Sequence, residues 1–202
     1  MSGPTEAGEP HEYEVLAREA VYEGRVISLE LDTVAMPGGG DSVRELVHHP
    51  GAVAVVAVDD EGRVVLVRQY RHPFREHLWE LPAGLRDSDG EPPLETAKRE
   101  LAEEALLSAA RWSLLTTSYS SPGFCDEQVL IYLAEGLSDA ERPEGFTAEH
   151  EETDMTVERV PMDEAVGRIF TGGIRNASAV IGLLAAARAR ETSPELRPVD
   201  AE

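Results

Sequence analysis

The chain has 202 residues, 42% hydrophobic and 28% charged, with 18 Lys and Arg against 39 Asp and Glu for a net charge of −21. Those are globular proportions in a chain long enough to bury a core, and the acidic excess excludes nucleic acid and anionic membrane surfaces, which it would repel. A single cysteine, Cys125, excludes an internal disulfide and fits a reducing cytoplasm, while the longest apolar runs, 51–58 and 177–187, fall well short of the roughly 18–20 residues of a membrane span.

Residues 1–12 read as a disordered lead-in, with acids and no apolar core of the kind a signal peptide needs. Short β-leaning runs follow at 15–17, 26–31 and 43–47. The Pro37-Gly38-Gly39-Gly40 cluster predicts a hairpin between the last two. A phosphate-cradling loop would need an apolar helix after those glycines, and none follows. Residues 51–58 and 63–69 are Val-rich strands around a second hairpin signal, Asp59-Asp60-Glu61-Gly62. Over 94–107 the period becomes helical, with Leu94, Ala97, Leu101 and Ala105 on one face. Residues 112–118 and 128–134 alternate as strands. Residues 161–170 and 176–191 read as helices parted by Thr171-Gly172-Gly173, and 191–202 as a frayed polar tail. Strands before and after one central helix predict mixed α/β layers rather than a regular βαβ array.

The chemistry concentrates on the central helix. At about 100° per residue, Glu100, Glu103 and Glu104 occupy a sector of roughly 100° beside the apolar stripe. Three carboxylates so placed repel one another unless a cation sits among them, and hard oxygen donors suit Mg²⁺ or Mn²⁺ rather than zinc. Arg99 stands four residues before Glu103, at the spacing for a helical ion pair. By clustering alone, in a chain this acidic, the solvated face of a surface helix is the favoured reading of the same acids.

The order of the residues goes further. Gly84, Glu91 and the run Arg99-Glu100-Leu101-Ala102-Glu103-Glu104 resemble the signature box of Nudix hydrolases: Gly, five residues, Glu, seven residues, then Arg-Glu-apolar-x-Glu-Glu-x-Gly-apolar. Two positions depart from it. Six residues separate Gly84 from Glu91, and Leu106 stands where the family has the glycine that ends the helix in a left-handed turn. Outside the box, Gln69-Tyr70-Arg71 and Leu78-Trp79-Glu80-Leu81-Pro82-Ala83-Gly84 are similar to the lead-in of ADP-ribose pyrophosphatases. Pro122, some fifteen residues past the box, resembles that subfamily's mark, and Glu149-His150-Glu151-Glu152-Thr153-Asp154 its catalytic acidic loop. The resemblance is nearest to the actinobacterial, mycobacterial type, which shares Met-Pro-Gly-Gly-Gly and Gly-Glu-Pro-Pro.

The resemblance implies an α+β Nudix fold, a mixed β-sheet sandwiched between helices. It divides the chain into a lead-in (1–12), a β-rich dimerisation region (13–46), the hydrolase domain (47–192) and a flexible tail (193–202). It implies that Glu100, Glu103, Glu104 and the carbonyl of Ala83 hold Mg²⁺ or Mn²⁺, with Glu100 and Glu104 counted as catalytic. Glu152 becomes the base or water-orienting group, with Glu151 the alternate, while Arg99 and Glu91 become structural. Arg71, Glu80, Arg44 and Glu45 are carried over as substrate contacts, the last two also serving a partner subunit's site. The implied reaction is hydrolysis of ADP-ribose to AMP and ribose 5-phosphate by a cytoplasmic homodimer. Another nucleoside diphosphate sugar or a dinucleotide as substrate, or a ligand sensor without catalysis, are the alternatives. Other candidates carry less. His48 and His49 are strand neighbours facing opposite ways, Cys125 lacks a His/Asn framework, Ser120 and Ser121 lack a nucleophile elbow, and Trp79 and Phe124 read as core or rim aromatics.

Overall fold

The computed structural model describes residues 12–88, 90–141 and 154–199. These form two compact units, one holding the described residues through Pro50 together with Ser121–Glu127, the other Gly51–Ser120 and the described residues from Gln128 onward.

The first unit is an antiparallel sheet in the order β1 (Val15–Glu23), β2 (Ser28–Ala35), β3 (Asp41–His48). Its β2–β3 turn is the one expected from Pro37-Gly38-Gly39-Gly40, and all three glycines take positive φ, which L side chains rarely adopt. Every residue of β1 is exposed, yet its Arg18 clamps the buried Asp32 of β2 through Nε at 2.8 Å and Nη2 at 2.9 Å. Residues 121–127 join this unit at the end of β3. The Val47 N–H donates to the Phe124 carbonyl at 2.7 Å, and His48 lies 2.7 Å from Asp126 and 3.1 Å from Glu30. Those two acids raise the His48 pKa above the ordinary imidazole value, Asp126 most.

The second unit is built on a mixed sheet in the order β10 (Thr156–Pro161), β5 (Arg63–Arg71), β4 (Ala52–Val58), β9 (Gln128–Asp139), β8 (Leu107–Tyr119), with β6 (Glu76–Glu80) beside β5 and β7 (Ala83–Leu85) beside β4. The β4–β9 pair is parallel and the others antiparallel. Both faces of β4 are covered, which is why its sequence is an unbroken apolar run. Val53, Val55 and Ala57 pack with Ala97 and Leu101 of α1 (Pro93–Ala105). Ala54, Val56 and Val58 pack on the other side with Met162 and Ala165 of α2 (Met162–Phe170) and Leu183 of α3 (Ala177–Thr192). The sheet is therefore sandwiched between helices, as expected.

The expected tail from 193 differs. After α3 the chain turns at Ser193 and runs back along β8, where the Arg197 carbonyl accepts from the Leu114 N–H at 3.3 Å and Arg197 Nη2 reaches Thr117 Oγ1 at 3.0 Å. Leu196 and Val199 pack against the two core layers. Through Val199 this segment is docked, and it covers an otherwise open strand edge.

Leu106 ends α1 in the left-handed conformation, φ 55° and ψ 41°, with its side chain 44% exposed. A side chain with a Cβ costs about 1–2 kcal/mol there, part of which glycine returns through the freer unfolded chain. Leu106→Gly should therefore raise stability by up to about 1 kcal/mol in denaturant melts. A clear loss would mean that Leu106 packing outweighs the backbone strain.

Candidate active site

The site grows from the place where α1 crosses β7. β7 hangs on β4 in the register Ala52↔Leu85, Val53↔Gly84, Ala54↔Ala83, and α1 lies over it because Ala97 and Leu101 are fully buried beneath. The approach is close. A Cβ on Gly84 would overlap the Glu100 carboxylate, so glycine at that position makes the seat for that acid. One turn later, Glu104 Oε2 accepts a hydrogen bond from the Ala83 N–H at 2.9 Å.

Burial pushes the Glu104 carboxyl up to about 8; the Ala83 N–H pulls against this, Glu100 adds to it, Arg71 opposes it and Glu80 adds to it. Near neutral pH this acid keeps its proton unless positive charge arrives. Glu100, Arg71 and Glu80 all act on it electrostatically, so these four side chains share one neighbourhood.

Arg99 organises the other side of the helix. Its Nη1 donates to Glu100 Oε1 and to Glu103 Oε2, each at 2.8 Å, while Nε and Nη2 lie 3.4 Å from the two Glu91 oxygens. Burial works against its charge, but Glu100, Glu91 and Glu103 together hold its pKa above the usual arginine value. Glu91 also accepts from the Thr96 hydroxyl at 2.9 Å, tying the loop before α1 to a buried residue of the helix. Glu103 is only 9% exposed and turned to Arg99, as its i,i+4 spacing suggested. Among the described residues, no three acidic, His or Cys side chains stand together as a set able to hold a metal ion.

Arg71 and Glu80 form a fork, Nε to Oε1 at 2.9 Å and Nη2 to Oε2 at 2.6 Å. The Glu80 side chain is 2% exposed and that of Arg71 42%, so a buried acid fixes a guanidinium that still reaches solvent.

The NUDIX domain description matches residues 48–178, well over half of the chain and all of the site just described. The chain belongs to the Nudix family. It is 47% identical over 192 residues to an ADP-ribose pyrophosphatase of Mycobacterium tuberculosis, covering 95% of this chain and 91% of that one. It is 46% identical over 127 residues to an ADP-ribose pyrophosphatase of Bacillus subtilis, covering 63% and 68%. A crystal structure of an ADP compounds hydrolase superposes with a TM-score of 0.79 over 93% of this chain and 98% of the other, at 21% identity, and so shares the fold.

Within the Nudix box the two departures leave the acids in place. The longer loop still delivers Glu91 to Thr96 and Arg99, and Leu106 takes the conformation its glycine would have taken. Arg44 and Glu45 belong to β3 of the first unit, where the Arg44 guanidinium donates to Ser42 Oγ at 2.7 Å and to the Val43 carbonyl at 3.0 Å. Glu151 and Glu152 lie outside the described residues. Thr96 was missed by the sequence reading; a threonine five residues after the box glutamate, inside the first turns of a helix, was the only signal. No helix among the described residues is long and apolar enough to cross a membrane.

Proposed function

We propose that this Nudix protein hydrolyses the diphosphate of ADP-ribose to AMP and ribose 5-phosphate in the cytoplasm, with a divalent cation at α1. The observation that carries the metal site is Glu104, a carboxyl whose charge is disfavoured by burial and by Glu100, beside the seat that Gly84 makes for Glu100. Such a pair fits a hard cation. Glu100 and Glu104, with the carbonyl of Ala83, would hold Mg²⁺ or Mn²⁺, and Glu103 would join them from its place on Arg99. Bound there, the ion supplies neutralisation of the diphosphate charge and a more acidic water.

The chain's own residues do the rest. Arg99 fixes the orientation of Glu100 and Glu103. Arg71, aimed by Glu80, donates to diphosphate oxygens. Glu152 takes a proton from the water as its oxygen bonds to phosphorus and the bridging P–O bond breaks. Arg44 and Glu45 contact substrate, also for a partner subunit. The relatives named as ADP-ribose pyrophosphatases support the choice of substrate. A turnover panel of about thirty diphosphate and triphosphate compounds, with and without EDTA, tests it. ADP-ribose should lead and EDTA should abolish turnover; faster hydrolysis of a nucleoside triphosphate would overturn the substrate.

The same reading includes a homodimer. β1 leaves Val15, Leu16, Val21 and Tyr22 45–57% exposed on a three-stranded sheet, apolar side chains that a second copy of the chain would cover. Light scattering at micromolar concentration should report twice the chain mass, and a monomer mass would refute the dimer.

A further inference from the structure

We propose that His48 is a pH-sensitive clasp, fastening residues 121–127 to the three-stranded sheet while both ring nitrogens are protonated and loosening them when one proton is lost. Its first support is the pair of groups that the ring faces. Nδ1 lies 2.7 Å from Asp126 Oδ2, and Nε2 lies 3.1 Å from Glu30 Oε2. A carboxylate oxygen only accepts, so both ring nitrogens have to donate, and imidazolium is the one form of the ring with two N–H groups. The two acids come from different stretches of chain. Glu30 is reached diagonally on β2, since His48 is opposite Ser28 and Glu30 opposite Leu46, while Asp126 belongs to the segment beside the end of β3. One protonated ring therefore ties β2, β3 and residues 121–127 together.

The surrounding charges favour that form. Arg18 of β1 reaches Glu30, with Nε 3.1 Å from the same Oε2 that His48 meets, and clamps Asp32 through Nε and Nη2. The Asp32 carboxyl stays below its ordinary value, Arg18 contributing most and the His48 charge adding to it. Burial opposes the charge of Asp126, but His48 and the His49 N–H, 2.8 Å from its Oδ1, hold its carboxyl below the ordinary value. Glu127 is turned instead to His49, 3.8 Å from its Nδ1. Among the described residues, Arg18 is thus the one other cation of a cluster that holds Glu30, Asp32 and Asp126. Hydrogen bonds to Asp126 first and Glu30 second raise the His48 pKa above the ordinary 6.5.

Loss of one proton breaks the clasp at one end. A neutral imidazole has one N–H and one lone pair, and the lone pair would face a carboxylate oxygen. With Nδ1 bare, Asp126 loses its donor; with Nε2 bare, the ring loses its hold on β2, where Arg18 still engages Glu30. The His48 side chain is 35% exposed, so the proton exchanges with solvent from the folded state. What the clasp reinforces is local. The Val47 N–H donates to the Phe124 carbonyl and the Asp126 N–H to the Val47 carbonyl, joining the segment of Pro122 to the strand of Arg44 and Glu45. Folding raises the His48 pKa, so this contribution is fully present below about 6.5 and is lost as pH rises through the raised value.

NMR titration of the assigned His48 ring in the full chain, with amide hydrogen exchange over the same pH range, tests this. His48 should titrate above 6.5, and Asp126→Asn should bring that value down, because the substituted amide no longer favours the second proton. Protection of the Val47, His49 and Asp126 amides, corrected for the intrinsic pH dependence of exchange, should fall about threefold or more through the titration. In His48→Gln, whose side chain does not titrate, protection should stay flat over the same range. A His48 that titrates at or below 6.5 overturns the clasp. So does wild-type protection that stays flat through the titration, or that falls equally in His48→Gln. Should His48→Gln fail to fold, Asp126→Asn decides in its place. The fall in protection then has to move down in pH with the His48 titration, and a fall that stays where it was overturns the clasp.

Discussion

Glu100→Gln and Glu104→Gln should each lower kcat/KM by at least about 100-fold and weaken Mg²⁺ or Mn²⁺ binding in parallel. Neither change should unfold the protein. A glutamine at 104 still offers an oxygen to the Ala83 N–H, and a glutamine at 100 keeps the shape seated against Gly84. What each variant loses is charge, and charge is what a hard cation needs. Glu104 adds a pH signature. Its pKa in the fold, about 8, lies above the ordinary carboxylate value of 4.5, so the folded chain binds more protons than the unfolded chain between those limits. That contribution is fully present below about 4.5 and is lost as pH rises through about 8. In EDTA, Glu104→Gln should therefore overtake the wild type in stability toward pH 8–9 and show no such advantage near pH 4. With Mg²⁺ the order should reverse, because only the wild type gains from the ion. Parallel melts in EDTA and Mg²⁺ decide, and a wild type indifferent to both pH and metal would remove Glu104 from the cation site.

The parts of this fold that a sequence reveals are those whose burial has a period. α1 is legible because Leu94, Ala97, Leu101 and Ala105 mark one buried face, and β4 because both of its faces are covered. β1 shows only its first residues, since all nine of its side chains meet solvent and no alternation is imposed on them. β6 and β7, at five and three residues, are too short to carry a pattern; they exist because β5 and β4 offer edges to pair with. β10 has two valines among charged residues and is held by its register on β5. The docked C-terminal segment hides behind Pro194, Glu195 and Pro198, though Leu196 and Val199 are what pack.

The site divides along the same line. The Arg99–Glu103 pair is a helix spacing and can be read directly. The Gly84 seat for Glu100, the Ala83 bond to Glu104 and the Arg71–Glu80 fork join residues across strand and helix, and they form only once β7 hangs on β4 and β6 folds back on β5. Resemblance to a family named those residues, but their partners needed the fold.

The remaining large effect concerns the base. Each acid of the described site already has a partner: Glu104 the Ala83 N–H, Glu100 and Glu103 the Arg99 Nη1, Glu91 the Thr96 hydroxyl and Arg99, and Glu80 the Arg71 fork. A carboxylate engaged as a metal ligand or in an ion pair is a weak proton acceptor, because the positive charge it faces lowers its basicity. The acceptor for the water proton is therefore proposed to lie beyond these residues, in the acidic run Glu149-His150-Glu151-Glu152, with Glu152 the residue proposed. Glu152→Gln should lower kcat by roughly 10²–10⁴-fold while leaving KM and Mg²⁺ affinity nearly unchanged. That split separates it from Glu100→Gln and Glu104→Gln, which lose metal binding and turnover together. Glu151→Gln should change kcat far less, since one positioned acceptor serves one proton transfer. Steady-state kinetics across a Mg²⁺ titration for the four single variants read this directly. Near-wild-type kcat in Glu152→Gln, with a collapse in Glu151→Gln, would move the base one residue back; near-wild-type kcat in both would return the role to one of the α1 acids, Glu103 first, because Arg99 alone engages it.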